Sequence, residues 1–293
     1  MHIAFITVGD TARLTGGYLY HARVFAILRE RGLLIDEIVA ATAGVDQQAA
    51  RAAAFGAEFD PAHYDAVVVD ALARTVCAEH LDRWRAIRPL VAMVHELPSV
   101  ASGDPSAAAD EQALLRADLL IAVSRHGAGL LTARGVAEAR IRIVSPGRDR
   151  LLGHSMRYPN EPSIVLAVAQ WIPRKGIHTL VAAWRLRRGG PAVLELIGET
   201  SANPAYTAQV LAAIGNDPSI RVRGAVSDAE LAAAYGQAAL FALPSRYEGY
   251  GMVYAEALHH GLPVVACATG PLPELLGDAA LLVPPDNPAA LAA

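Results

Sequence analysis

Twelve short runs rich in valine, isoleucine and leucine, alternating with helical stretches, leave this chain few folds to choose from. Six fall in the first half: HIAFITV (2 to 8), EIVAATA (37 to 43), DAVVVDA (65 to 71), LVAMVHE (90 to 96), LLIAVS (119 to 124) and IRIVSPG (141 to 147). Six follow in the second: SIVLAVAQ (163 to 170), AVLELIG (192 to 198), IRVRG (220 to 224), ALFALPS (239 to 245), PVVACA (263 to 268) and ALLVPP (280 to 285). Most are nearly continuous in apolar residues, the pattern of strands buried on both faces. Amphipathic helices between them supply the covers of a parallel sheet. The fold class is therefore α/β, with two doubly wound Rossmann-like domains.

The rhythm stops in RDRLLGHSMRYPNEP (148 to 162), which is polar and carries prolines. The expected division is a first domain over residues 1 to 150, a linker over 151 to 162 and a second domain over 163 to 293. Ligands of such folds sit beyond the carboxyl ends of the strands, which places the expected site in the cleft between the domains. At the end, DNPAALAA reads as a helix just starting, with Asn287 as cap and Pro288 in its first turn, so the second domain is expected to be incomplete.

Composition excludes several classes. Net charge is −4 and the arginines are scattered, so no basic stripe points to nucleic acid. MHIAFITVGD has no basic segment of a secretion signal, and no apolar run is long enough to cross a bilayer, so the expected location is cytoplasmic. YLYHARVFAILRERG (18 to 32), with Arg23, Arg29 and Arg31, leaves peripheral membrane contact open beside the plainer reading of a helix packed on the sheet. Cys77 and Cys267 stand far apart without CxxC spacing and read as core residues rather than a disulfide or zinc site. Oligomeric state is not legible.

The informative residues lie where strands hand over to helices. Gly16 and Gly17 follow the first strand, where glycine lets backbone approach a ligand and a helix N-terminus offers N–H groups to an anion. Alone, the pair is better read as a shaped turn, and it belongs neither to GxGxxG nor to a P-loop. Lys175, the one lysine beside 24 arginines, holds the corresponding junction of the second half. A lysine gives a compact mobile charge suited to diphosphate oxygens where arginine gives a rigid fork; the competing reading is chance survival of a surface lysine. In LPSRYEGYGMVYAEALHHGLPVVA (243 to 266), Glu248 stands in the loop and Glu256 about two turns along a helix, on the same side. The glycines between them free the helix N-terminus for phosphate, while the carboxylates suit sugar hydroxyls.

With those elements in order, together with AVSRHGAGLLTARGVAEARIRIVSPGRD (122 to 149), PRKG, VSDAELAAAY (226 to 235), EGYGMVYAEA and GLPVVACATGPLPELLGDAALLVPPDNPAAL, the chain resembles the retaining glycosyltransferases of the GT-B fold, family 4. The resemblance implies that Lys175 binds the donor diphosphate and that Glu256 holds the ribose hydroxyls. It implies that Glu248 faces the transferred sugar, and that the backbone of Gly249, Tyr250, Gly251, Met252 and Val253 contacts sugar and phosphates. Gly16 and Gly17 would approach the diphosphate, and His95, in MVHELPSV, matches the family's histidine near the donor sugar. Where the family carries an arginine, this chain has Gln170, and Arg174 is the candidate for the second positive charge. The first domain is short for the family.

The activity so implied is transfer of a hexose or similar sugar, with retention, from a nucleotide diphosphate sugar to an acceptor that is a small molecule, lipid or glycan. UDP-sugars are the default donor, with guanosine and adenosine diphosphate sugars left open. No DxD occurs, so a tightly required metal is not expected, and the resemblance implies no required cofactor. Glu248 reads as a sugar-binding, transition-state-stabilising carboxylate rather than a nucleophile. The rival readings are a non-catalytic nucleotide-sugar-binding or lapsed partner subunit and, within enzymes, a nucleotide-sugar epimerase.

Overall fold

In the computed structural model, the described residues are 1–13, 15–41, 47–101, 103, 108–147 and 162–293. They form two compact units, Met1–Pro146 and Gly147–Ala293. The expected linker lies, apart from its last residue, outside the described residues.

The first unit holds strands β1 (His2–Val8), β2 (Leu34–Ala40), β3 (Ala66–Asp70), β4 (Leu90–Val94), β5 (Leu119–Ala122) and β6 (Ile141–Ile143) in one parallel sheet, order β2-β1-β3-β4-β5-β6. The second holds β7 (Ser163–Val168), β8 (Ala192–Ile197), β9 (Ile220–Gly224), β10 (Leu240–Leu243), β11 (Val264–Cys267) and β12 (Ala280–Val283), also parallel, order β12-β11-β10-β7-β8-β9. All twelve expected strands are present. The second begins three residues earlier than its apolar run, because at this sheet edge pairing with β1, His2 to Leu34 through Val8 to Ala40, decides its extent. Its outward Asp36 and Glu37 are tolerated there, and Asp36 accepts a hydrogen bond from His2.

Each sheet closes its own core, around Trp84 in the first unit and around Trp171 and Tyr235 in the second; Cys77 belongs to the first core, and Cys267 is buried in the second unit. Ser227 and Glu230 form a capping box that starts the helix Asp228–Gln237. The final helix, Pro288–Ala292, is capped by the side chain of Asn287 and packs on the helix Ile177–Leu186. The helix Gly16–Glu30 buries Tyr20, His21 and Phe25, the ordinary packing of the plainer reading. Among the described residues, no helix is long and apolar enough to cross a membrane.

The order of strands positions the chemistry. Each chain path starts in the middle of its sheet, runs to one edge and returns to build the other side. The reversal falls between β1 and β3 in the first unit and between β7 and β10 in the second. At such a switch point the loops diverge above the carboxyl ends and open a crevice.

Candidate functional site

Lys175 leaves the carboxyl side of β7 and Glu248 that of β10, the two strands flanking the second switch point. Pro173–Lys175 forms a single 3-10 turn closed by Gly176, whose φ of 69° is the left-handed conformation. A β-carbon on Gly176 would stand 2.3 Å from the Pro244 carbonyl oxygen, so only glycine lets the turn lie against the end of β10. The backbone N–H of Arg246 donates to the Arg174 carbonyl (2.8 Å), and the Arg174 guanidinium donates to the Tyr247 carbonyl (3.0 Å). These bonds fasten one loop to the other. As a result Lys175 Nζ donates to Glu248 Oε1 at 2.7 Å, with side chains only 16% and 7% exposed. Burial pushes the Glu248 carboxyl up, but the charges of Lys175 and Arg174 and the Lys175 hydrogen bond outweigh it, so its pKa lies below the ordinary value.

The loop continues through Gly249 and Tyr250 to Gly251, and the helix Met252–His259 follows. Gly251, at φ 102°, ends the loop in the left-handed region, and no side chain caps the helix whose first residues are Met252 and Val253. Because residues 248 to 251 are not helical, Glu256 lies just past one turn of helix rather than about two. It is 8% exposed, and its Oε2 accepts from the Tyr235 hydroxyl at 3.0 Å. Tyr235, stacked on His260, holds Glu256 and was not singled out by the sequence; a buried tyrosine in VSDAELAAAY was its only signal. Gln170 donates to Glu199, just beyond β8, at 2.8 Å. Arg174 is the cation after Lys175 that acts most strongly on Glu248.

In the first unit, the helix begins at Gly16 itself, because Thr15 is still extended at φ −102°, ψ 152°. The glycine pair is thus the first turn rather than a loop before it. Gly17 lies beside His95, with the imidazole 3.8 Å from where a β-carbon would be. His95, just past β4, brings His95 Nε2 to 2.6 Å from His21 Nε2, and His21 Nδ1 faces Asp70 Oδ2 at 3.9 Å. Asp70 accepts from the Thr7 hydroxyl (2.9 Å) and the Leu72 N–H (3.0 Å). Sequence reading missed His21 and Asp70. Their available signals were an i, i+4 spacing from Gly17 and a carboxylate ending an apolar strand.

Burial drives His21 down to about 3, aided by His95, and His95 down to about 4; burial lifts Asp70 to about 6 against its two hydrogen bonds. The unfolded histidines therefore take up protons below pH 6.5 that the folded ones refuse, and stability is lost as pH falls. Asp70, raised, works in the opposite sense between about 6 and 3.8. From pH 6.5 to 4.5 the net loss expected is about 3 kcal/mol. Hydrogen exchange of β1, β3 and β4 amides, corrected for intrinsic rates, measures it; stability that is flat or rises over that range contradicts it.

Residues 162–293 match the family model for glycosyl transferases group 1. The MMP alpha-(1->4)-mannosyltransferase of Mycolicibacterium hassiacum is 31% identical over 172 residues, 57% of this chain and 42% of that protein. The D-inositol 3-phosphate glycosyltransferase of a Nocardioides species is 31% identical over 272 residues, 77% of this chain and 57% of that one. The chain spans about half the length of the curated relatives it matches. Sucrose-phosphate synthase from Thermosynechococcus elongatus superposes with a TM-score of 0.83 at 23% identity, over 99% of this chain and 88% of its own. HepE of Anabaena, solved in complex with UDP-glucose, superposes with a TM-score of 0.81 at 20% identity, over 100% of this chain and 88% of its own. With its switch-point lysine and glutamate on the matched stretch, the second unit is a glycosyl transferases group 1 domain, and the chain has the fold of the GT-B glycosyltransferases.

Proposed function

We propose that this chain transfers a hexose or similar sugar, with retention at the anomeric carbon, from a nucleotide diphosphate sugar to an acceptor. The observation that carries the proposal is the buried Lys175–Glu248 pair at the switch point of the matched domain. An ammonium has three N–H donors, and Glu248 takes one, so Lys175 can hold diphosphate oxygens with the others. Its charge, that of Arg174, and the N–H groups opening Met252–His259 neutralise the diphosphate as the glycosidic bond breaks. Glu248, kept anionic by those cations, faces the sugar and stabilises positive charge developing at the anomeric carbon. Glu256, held by Tyr235, receives the ribose hydroxyls. A UDP-sugar is the favoured donor, supported by the solved complexes of HepE with UDP and glucose and with UDP-glucose.

A thermal-shift panel with UDP, GDP, ADP and their common sugars tests donor binding; at a hundred times Kd a true donor adds about 2.7 kcal/mol of stability. Release of free nucleoside diphosphate only when an acceptor is present then marks transfer. No stabilisation by any member of the panel would sink the proposal. Glu248→Gln is expected to lower turnover about 100-fold, the scale of removing one preorganised charge from a reacting centre. Unchanged turnover with a good donor would remove Glu248 from that role.

A further inference from the structure

We propose that His21 and Asp70 are positioning residues that set the tautomer of His95, leaving its Nδ1 an unprotonated hydrogen-bond acceptor. The two Nε2 atoms, 2.6 Å apart, share one proton, so one ring donates and the other accepts. The choice is made behind His21. Its Nδ1 faces Asp70, whose carboxylate takes hydrogen bonds from Thr7 and from the backbone of Leu72, as an ionised group does. That negative charge favours a proton on His21 Nδ1. A neutral His21 protonated there has a bare Nε2, which accepts the Nε2–H of His95. The remaining nitrogen of His95, Nδ1, is then bare.

The surroundings leave little else to bias the pair. Phe5 meets the His21 ring edge-on at 4.5 Å and Phe25 stacks on it at 5.7 Å, while Tyr20 meets His95 edge-on at 5.5 Å. Among the described residues, the polar neighbours of the His21 ring nitrogens are His95 and Asp70. The trio could also be imagined as a metal centre, since one ligand atom from each lies within 4.8 Å of the others. Two nitrogens on one tetrahedral zinc, however, stand about 3.4 Å apart, given Zn–N bonds near 2.0–2.1 Å. A separation of 2.6 Å is that of a shared proton. A bare Nδ1 takes a hydrogen bond from a hydroxyl.

The test is the protonation state of His95 in the full chain, read at neutral pH from long-range proton–nitrogen correlations with nitrogen-15-labelled histidine. The expected spectrum has the proton on Nε2 and an unprotonated Nδ1. His21→Gln, whose side-chain oxygen still accepts from Nε2–H, keeps that pattern, whereas in His21→Leu and Asp70→Asn the preference is lost and the Nδ1–H form appears. A wild-type His95 protonated on Nδ1, or a tautomer unmoved in both His21→Leu and Asp70→Asn, overturns the proposal. Stoichiometric zinc(II) binding that disappears in His21→Gln also overturns it, in favour of a metal centre. Wild type and His21→Leu decide the matter if Asp70→Asn does not fold. The spectrum requires neither donor nor turnover, so its failure is distinct from failure of the sugar-transfer reading.

Discussion

Lys175→Ala is expected to lose about 4 kcal/mol of stability and every trace of stabilisation by the nucleotide sugar. The first effect follows from leaving Glu248 buried without its partner, which typically costs about 3–5 kcal/mol. The second follows from removing the ammonium assigned to the diphosphate. The two are separated by Lys175→Met combined with Glu248→Leu, where apolar packing replaces the ion pair. That double variant should regain most of the stability while remaining blind to the donor. A Lys175→Ala protein whose melting temperature still rises with the donor would exclude Lys175 as the diphosphate ligand. A double variant no more stable than Lys175→Ala would show that the loss does not come from an orphaned carboxylate.

Gly176→Ala is expected to destabilise the second unit by about 4 kcal/mol. A left-handed conformation costs an L-residue about 1–2 kcal/mol, and the new β-carbon would lie 2.3 Å from a backbone oxygen, Pro244 O, which must move. Backbone cannot yield as a flexible side chain does, so the paired ends of β7 and β10 separate. Gly261→Ala is the control: at φ 67° it is left-handed as well, but nothing lies within 4 Å of where its β-carbon would stand, and only the conformational cost of about 1–2 kcal/mol remains. Urea unfolding of both variants measures the difference. Equal midpoints would mean that close approach to Pro244 is not what requires glycine at this position.

The strands were legible because strands buried on both faces leave unbroken apolar runs, and the second unit's candidate residues could be singled out because they stand in loops next to such runs. What could not be read was pairing across the chain. Neither PRKG nor EGYG states that Lys175 will meet Glu248; that contact follows from β7 and β10 becoming neighbours in the sheet. Likewise His21, Asp70 and His95 arise from a helix, β3 and the end of β4, and each alone looks like an ordinary buried polar residue. Tyr235 is hidden for the same reason: its helix position says core, and only tertiary packing brings its hydroxyl to Glu256. The boundary errors are local competitions. Edge pairing moved β2, and with the helix opening where expected, after Gly251, Glu256 stands one turn along it rather than two.

The Lys175–Glu248 contact joins positions 73 residues apart. Its strands are neighbours at the centre of the sheet, yet β8 and β9 are made between them in the chain. Such a contact is slow to form, since the intervening loop must close before any energy is returned. During refolding, secondary structure and much of the apolar burial can therefore precede it. If the proposed donor site is right, nucleotide-sugar affinity becomes a late clock for this unit: a refolding chain should recover its far-ultraviolet signal first and its response to nucleotide sugar last.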